Sequence, residues 1–112
     1  MDKLIQYQKV IITLLHEFAS AQKSLTPGVK SYVVTDTDNH QYQLLSIGWH
    51  NDQYVYTIAF HFSIVNNKIW IQQNNTDVLI AEELIQRGVN KEDIVLGFIS
   101  ENMRQFSGYA VA

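Results

Sequence analysis

The chain of 112 residues contains no cysteine, which excludes disulfides, thiolate zinc sites and a cysteine nucleophile together. Proline occurs once, at Pro27, and the five glycines are isolated. No Pro/Gly-rich linker therefore divides the chain, and no glycine-rich loop is present to cradle a phosphate. No apolar run approaches the roughly 20 residues that cross a bilayer. The opening MDKLIQYQKVIITLLHEF has no basic stretch followed by an unbroken apolar one, so no signal peptide is expected. These absences lead to the expectation of a soluble cytoplasmic protein with no membrane contact, folded as one domain over residues 1–112.

Positive charge is also scarce. Eight Lys+Arg stand against eleven Asp+Glu, for a net charge of −3, and the bases are scattered along the chain. From Thr76 onward six acids face three bases. Neutralising phosphates supplies most non-specific nucleic-acid affinity, so tight DNA binding by the isolated chain is disfavoured. A direct DNA-binding regulator stays open as a rival reading, because folding can gather distant bases into one patch.

What is present is apolar and patterned. Hydrophobic residues make up 46% of the chain and charged residues 17%, enough to bury a core. Leu4, Tyr7, Ile11, Leu14, Leu15 and Phe18 recur at helical spacing, predicting an amphipathic helix of about five turns that fades before Thr26-Pro27-Gly28. Strand-like runs follow at about 30–37, 40–50, 53–65 and 68–73, separated by Asp38-Asn39, Asn51-Asp52 and Asn66-Asn67. Such pairs tolerate the left-handed backbone of two-residue hairpin turns, so a four-stranded antiparallel meander is expected. The segment 77–87 predicts a second helix with a Glu83–Arg87 pair and Gly88 as its C-cap. Asn90 opens a short helical turn, and the apolar tail 104–112 is expected to dock on the body. The fold class is α+β: an N-terminal helix, the meander, then a C-terminal helix and short apolar tail packed on the sheet.

The turns set registers. They place Trp49 opposite Tyr54, Ile47 opposite Tyr56, Leu45 opposite Ile58, Phe62 opposite Ile71, Ile64 opposite Ile69 and Tyr32 opposite Leu45. They gather Tyr54, Tyr56, Ile58, Phe60, Phe62 and Ile64 on one face under the N-terminal helix. The second face then carries Val33, Tyr42, Leu44, Val55, Thr57, Ala59, His61, Trp70 and Gln72. His61 would lie opposite Tyr42 and Gln72, and His40 opposite Ser63, which makes the two histidines diagonal neighbours about 7–8 Å apart.

Metal sites need three or four convergent ligands, and no carboxylate accompanies this pair in the strand centres. His61 is therefore expected to be structural or interfacial, hydrogen-bonded near Tyr42, with no metal and no cofactor. Ser46 opposite Thr57 is an ordinary hydroxyl pair, and Asp36 and Asp38 fall where a hairpin turn favours Asp. No catalytic residue emerges. A small-molecule enzyme or ligand binder, the other rival, would require a deep pocket holding His40 or His61 with a carboxylate beside it. The second face is too apolar for free solvent, so Tyr42, Leu44, Ala59, His61 and Trp70 form the candidate protein-interaction face. It is covered either by the C-terminal segment or by another protein, including a second copy of the chain.

Four ordered blocks, YQLLSIGW (42–49), KIWIQQNNTD (68–77), LIQRGVNKEDIVLGF (84–98) and RQFSGYAVA (104–112), resemble the XisI family, the cyanobacterial fdxN element excision controlling factors. The resemblance spans nearly the whole chain. It implies a role in programmed DNA rearrangement during heterocyst differentiation, beside a site-specific recombinase. It also implies a companion, the nuclease-fold XisH-like protein. No catalytic residue carries over with it. The implied function is that of a non-enzymatic controlling factor acting through a protein partner.

Overall fold

The computed structural model describes residues 2–22 and 26–112; the expected fading of the first helix at residues 23–25 lies outside them. Helix α1 spans Lys3–Gln22, opened by Asp2, whose carboxylate accepts the Leu4 N–H at 2.9 Å. A side chain there satisfies a donor that the first helical turn leaves without a partner. Strands β1 (Val29–Asp36), β2 (Gln41–His50), β3 (Gln53–Val65) and β4 (Lys68–Asn74) form the antiparallel meander. Helix α2 spans Ile80–Gln86, with Gly88 in a left-handed conformation (φ 101°) just beyond it. Among the described residues no helix is long and apolar enough to cross a membrane.

The turns at Asn51-Asp52 and Asn66-Asn67 have the expected left-handed backbone, with φ between 50° and 62° at all four residues. The first hairpin differs. Its loop covers residues 37–40, and the left-handed residue is His40 (φ 55°), not Asp38 or Asn39. Asp36 organises this loop by accepting the N–H groups of Asp38 and Asn39 and the Asn39 amide.

The sheet has five strands, one more than the sequence predicts. β5 (Ile94–Leu96) pairs in parallel with β4, matching Ile69 with Ile94 and Ile71 with Leu96. Three residues of strand after a helical turn leave too short a pattern to distinguish from any buried apolar run. The tail docks beside it, where the Ala110 N–H donates to the Ile94 carbonyl at 2.9 Å.

The six apolar cross-strand pairs that the turns set are present, but those expected for His61 (with Tyr42 and Gln72) and for His40 (with Ser63) are not, and the faces are not as expected. β3 carries a bulge at Ala59: Leu45 pairs with Ile58, but Leu44 pairs with Phe60. A bulge inserts one unpaired residue and so reverses the parity of everything beyond it. The bulged carbonyls are satisfied, Ile58 O by the Gln73 amide and Ala59 O by the Asn75 N–H. A second irregularity in β4 places His61 opposite Gln73. The helix-covered face therefore joins Tyr42 and Leu44 of β2 to Phe60, Phe62 and Ile64 of β3. With Tyr7, Ile11, Leu14 and Leu15 of α1 and with Ile69, Ile71, Ile80, Leu84 and Ile94, these form one core. Tyr54 and Tyr56 do not belong to it and are exposed on the opposite face.

Near one end of β1 and β2 the backbones meet at two glycines with positive φ, Gly28 (91°) and Gly48 (152°). A Cβ on Gly48 would lie 2.0 Å from Gly28 O and 2.8 Å from the Val29 Cα. Both neighbours are backbone and cannot rotate away. Gly48→Ala is expected to lower stability by roughly 1–3 kcal/mol through overpacking and strain, read as a reduced urea midpoint with unchanged m-value.

Candidate protein-interaction face

The sheet surface away from α1 divides into three parts. The first lies on β1–β3 before the bulge, where Tyr32, Val34, Leu45, Ile47, Trp49, Tyr54, Tyr56 and Ile58 share one side by their register. Trp49 is 63% exposed, Tyr56 66%, Tyr54 55% and Tyr32 48%. The Trp49 and Tyr54 rings pack together at 5.2 Å between centroids. Charge appears only at the margins, with Lys30 and Asp36 at opposite ends of β1 and Asp52 in a turn. At roughly 200 Å² per aromatic side chain, these four rings leave on the order of 450 Å² in water, within the range of the largest patch on a typical monomer.

The second part is a polar ladder beyond the bulge. His61 Nε2–H donates to Gln41 Oε1 at 2.8 Å, and its Nδ1 accepts from the Gln43 amide at 3.1 Å. Ser63 Oγ donates to the same Gln41 oxygen at 2.7 Å, and the Gln72 amide reaches Ser63 Oγ at 3.4 Å. Burial pulls the His61 pKa down, and both ring nitrogens are engaged in the neutral form, leaving no lone pair free for a metal or a proton in transit. His61 is bonded to Gln41 and Gln43, not to Tyr42 as expected. The Tyr42 hydroxyl meets His40 Nδ1 at 3.2 Å. His40 stands in the hairpin loop, and Ser63 pairs with Gln41.

The third part is covered. Trp70 is half-buried beneath the C-terminal segment, with the Arg104 guanidinium 4.8 Å from the centre of its ring. Of the two covers considered for Trp70, its own chain supplies this one.

The five residues of the expected interaction face are thus separated. Tyr42, Leu44 and Ala59 are buried in the helix-covered core, while His61 and Trp70 lie on the other face. The aromatic surface that is exposed (Tyr32, Trp49, Tyr54, Tyr56) is the one the uninterrupted registers place under the helix. A signal for the exchange is present in the sequence: without a bulge, Gln43 would sit opposite Phe60 and Tyr42 opposite His61, two polar–apolar mismatches in adjacent pairs.

Among the described residues no three His, Cys, Asp or Glu side chains gather to hold a metal ion. An apolar groove of about 240 Å³ between α2 and the C-terminal segment is lined by Val78, Leu79, Ile80 and Phe98, and neither His40 nor His61 reaches it.

The family model described as XisI protein matches residues 1–111. The chain belongs to the XisI family. A solved XisI-like protein from Anabaena variabilis ATCC 29413 is 40% identical, with 97% of this chain and 99% of that chain covered and a TM-score of 0.89. The fdxN element excision controlling factor XisI from the same organism is 31% identical, with 99% and 100% covered and a TM-score of 0.81. No curated protein matches. Membership in the XisI family agrees with the four sequence blocks, and three of them (42–49, 68–77 and 84–98) supply β2, β4 and the α2–β5 unit around the core.

Proposed function

We propose that this XisI protein is a non-enzymatic controlling factor for excision of a DNA element, and that it acts by binding a protein partner. The partner of choice is the XisH-like nuclease-fold protein implied by the resemblance, and the site of action is the cytoplasm. The observation that carries the reading is the exposed, uncharged aromatic half of the sheet. Tyr and Trp held on rigid strands give large contact area at little entropic cost and are enriched among interface hot spots. The exposed rings amount to over half of the roughly 800 Å² that one partner contributes to a standard interface. A relative 31% identical carries the name of an excision controlling factor, which supports the biological setting.

Direct DNA binding is the weaker reading, because the aromatic face carries a single base, Lys30 at its margin, and the chain carries net charge −3.

Co-expression with the XisH-like protein followed by pull-down tests the proposal. The wild-type chain is expected to be retained at micromolar concentration, and the Trp49→Ala/Tyr54→Ala double variant to bind at least tenfold more weakly with an unchanged melting curve. Absence of association, or equal retention of the double variant, would defeat it. Tight, salt-sensitive gel shifts by the isolated chain would support the DNA reading instead.

A further inference from the structure

β1 is an edge strand, and its outer side has no partner strand among the described residues. The sheet's other edge is treated differently. There β5 is only three residues long, and Ala110 bridges to it. β1 runs for eight residues in unbroken register with β2, without a proline or bulge. Edges are commonly protected by such interruptions or by charges along their length, and the charges of β1 stand only near its ends, at Lys30 and Asp36.

The strand VKSYVVTD is self-complementary when read antiparallel to itself. Centred on Val33, the pairing sets Lys30 of each copy opposite Asp36 of the other, Tyr32 opposite Val34, Ser31 opposite Thr35, and Val33 opposite Val33. Lys30, Tyr32, Val34 and Asp36 occupy the side away from α1, whereas Ser31, Val33 and Thr35 occupy the helix side. Each residue therefore meets one of its own kind: opposite charges, apolar with apolar, hydroxyl with hydroxyl. Those pairs stabilise antiparallel strands.

Side chains alternate, so a continuous sheet with both helices on one side permits only registers displaced in steps of one strand residue per copy about the centre. Centring on Tyr32 would put Lys30 opposite Val34; centring on Val34 would put Asp36 opposite Tyr32. Only the Val33 register pairs the charges. Asp36 also holds its own turn by accepting from Asn39 and Asp38, and these bonds, led by the Asn39 side chain, keep its pKa low and the carboxylate charged. A carboxylate has about four acceptor sites, so that role leaves room for an ammonium.

His16, Ala19 and Ser20 in the C-terminal half of α1 stand beside Lys30, Ser31 and Tyr32 across a trough of about 350 Å³. In this register Thr35 of the second copy arrives opposite Ser31, at the mouth of that trough.

We infer that the β1 edge is a homodimer interface, in which two copies join antiparallel about Val33 into one ten-stranded sheet. The inference does not depend on the proposed function. The join leaves the aromatic halves uncovered and brings them side by side across the seam, doubling the surface available to any further partner.

Sedimentation and light scattering of the full chain, from low micromolar to several hundred micromolar, provide the first test. The mass is expected to rise toward twice the 12.9 kDa of one chain. Val34→Lys places a cation on each side of the seam and is expected to give a monomer throughout, with the wild-type melting curve at low concentration. The absence of cysteine permits a register test that does not rely on that variant folding. Val33→Cys is expected to form a disulfide-linked dimer on mild oxidation, since directly opposed Cα atoms lie about 4.5–5.5 Å apart, within disulfide reach. Thr35→Cys is not, because its two copies would stand four residues out of register, about 13 Å apart. A strictly monomeric wild type overturns the inference. So does a dimer that survives Val34→Lys and fails to crosslink through Val33→Cys, or one that dissociates with Trp49→Ala alone, which would seat the second copy on the aromatic face.

Discussion

Phe62→Ala is expected to destabilise the protein by about 3–5 kcal/mol, while Tyr56→Ala, on the same strand and the same sequence parity, is expected to cost under about 1 kcal/mol. Phe62 is fully buried, lies opposite Tyr42 and Ile71, and stacks on Phe60 with ring centroids 6.0 Å apart. Phe60 in turn meets Phe18 of α1 edge-on at 5.4 Å. Removing the ring opens a cavity that these neighbours, fixed by a helix and two strands, refill only in part. Tyr56 lies before the bulge, 66% exposed, and its truncation leaves no cavity. In thermal melts the first variant should fall by about 10 °C or more and the second should barely move. Similar losses at the two positions would mean that an uninterrupted strand, and not the Ala59 bulge, is present in solution.

That contrast marks what was legible in the sequence. The hairpin turns at Asn51-Asp52 and Asn66-Asn67 could be read because few residues adopt two successive left-handed conformations cheaply, and each turn fixed its nearest pairs. The faces could not be read from the turns alone, because parity propagates only until a residue is inserted. Alternation along β3 was apolar on both sides of Ala59, so the strand itself gave no warning. The warning lay in its partner, where Gln41 and Gln43 alternate with Tyr42 and Leu44, and only a one-residue slip brings Leu44 to Phe60. β5 was invisible for a different reason: its three residues follow a helical turn, and its parallel pairing to β4 is set by the α2 crossover, a tertiary fact. The candidate interaction face inherited the parity error. Trp49, Tyr54 and Tyr56 were legible as an apolar set, but which side they faced was not.

The bulge also sorts the sheet by chemistry. Before it, the outer surface is aromatic, with no side-chain hydrogen bond among its described residues; after it, the same surface is a ladder in which Gln41, Gln43, His61 and Ser63 bond to one another. A partner covering the aromatic half removes apolar area from water without stripping those groups of their partners. One covering the ladder would gain little, since its donors and acceptors are already spent on each other. On these grounds a partner would gain more from covering the aromatic half than from covering the ladder.

Asp93→Ala is expected to cost about 2–3 kcal/mol, the upper part of the range for leaving a buried hydroxyl without an acceptor. Asp93 is 7% exposed, and its Oδ2 accepts the hydroxyl of fully buried Tyr7 at 2.5 Å and lies 2.8 Å from Lys3 Nζ. The carboxylate therefore ties the first turns of α1 to the turn Lys91–Asp93 that feeds β5. Alanine leaves the Tyr7 hydroxyl buried without an acceptor, since its other neighbour, the Asn90 N–H, is itself a donor. Burial pushes the Asp93 carboxyl up, but the hydrogen bonds from Lys3 and Tyr7, the Lys3 charge and Asn90 together outweigh it and hold the group below the usual carboxylate range. A depressed folded-state pKa contributes stability that is complete above the unfolded value, about 3.9, and is lost as pH falls through the folded one. Wild-type stability should accordingly drop below about pH 4, and Asp93→Asn, which keeps an oxygen for Tyr7, should lose less than the alanine variant at neutral pH while flattening that acid limb. Asp36 is depressed as well and retains its share in the variant, so the limb should shrink without vanishing. Urea denaturation from pH 3 to 7 reads the difference; an acid limb unchanged by Asp93→Asn would show that the Asp93 carboxyl titrates alike in the folded and unfolded chains.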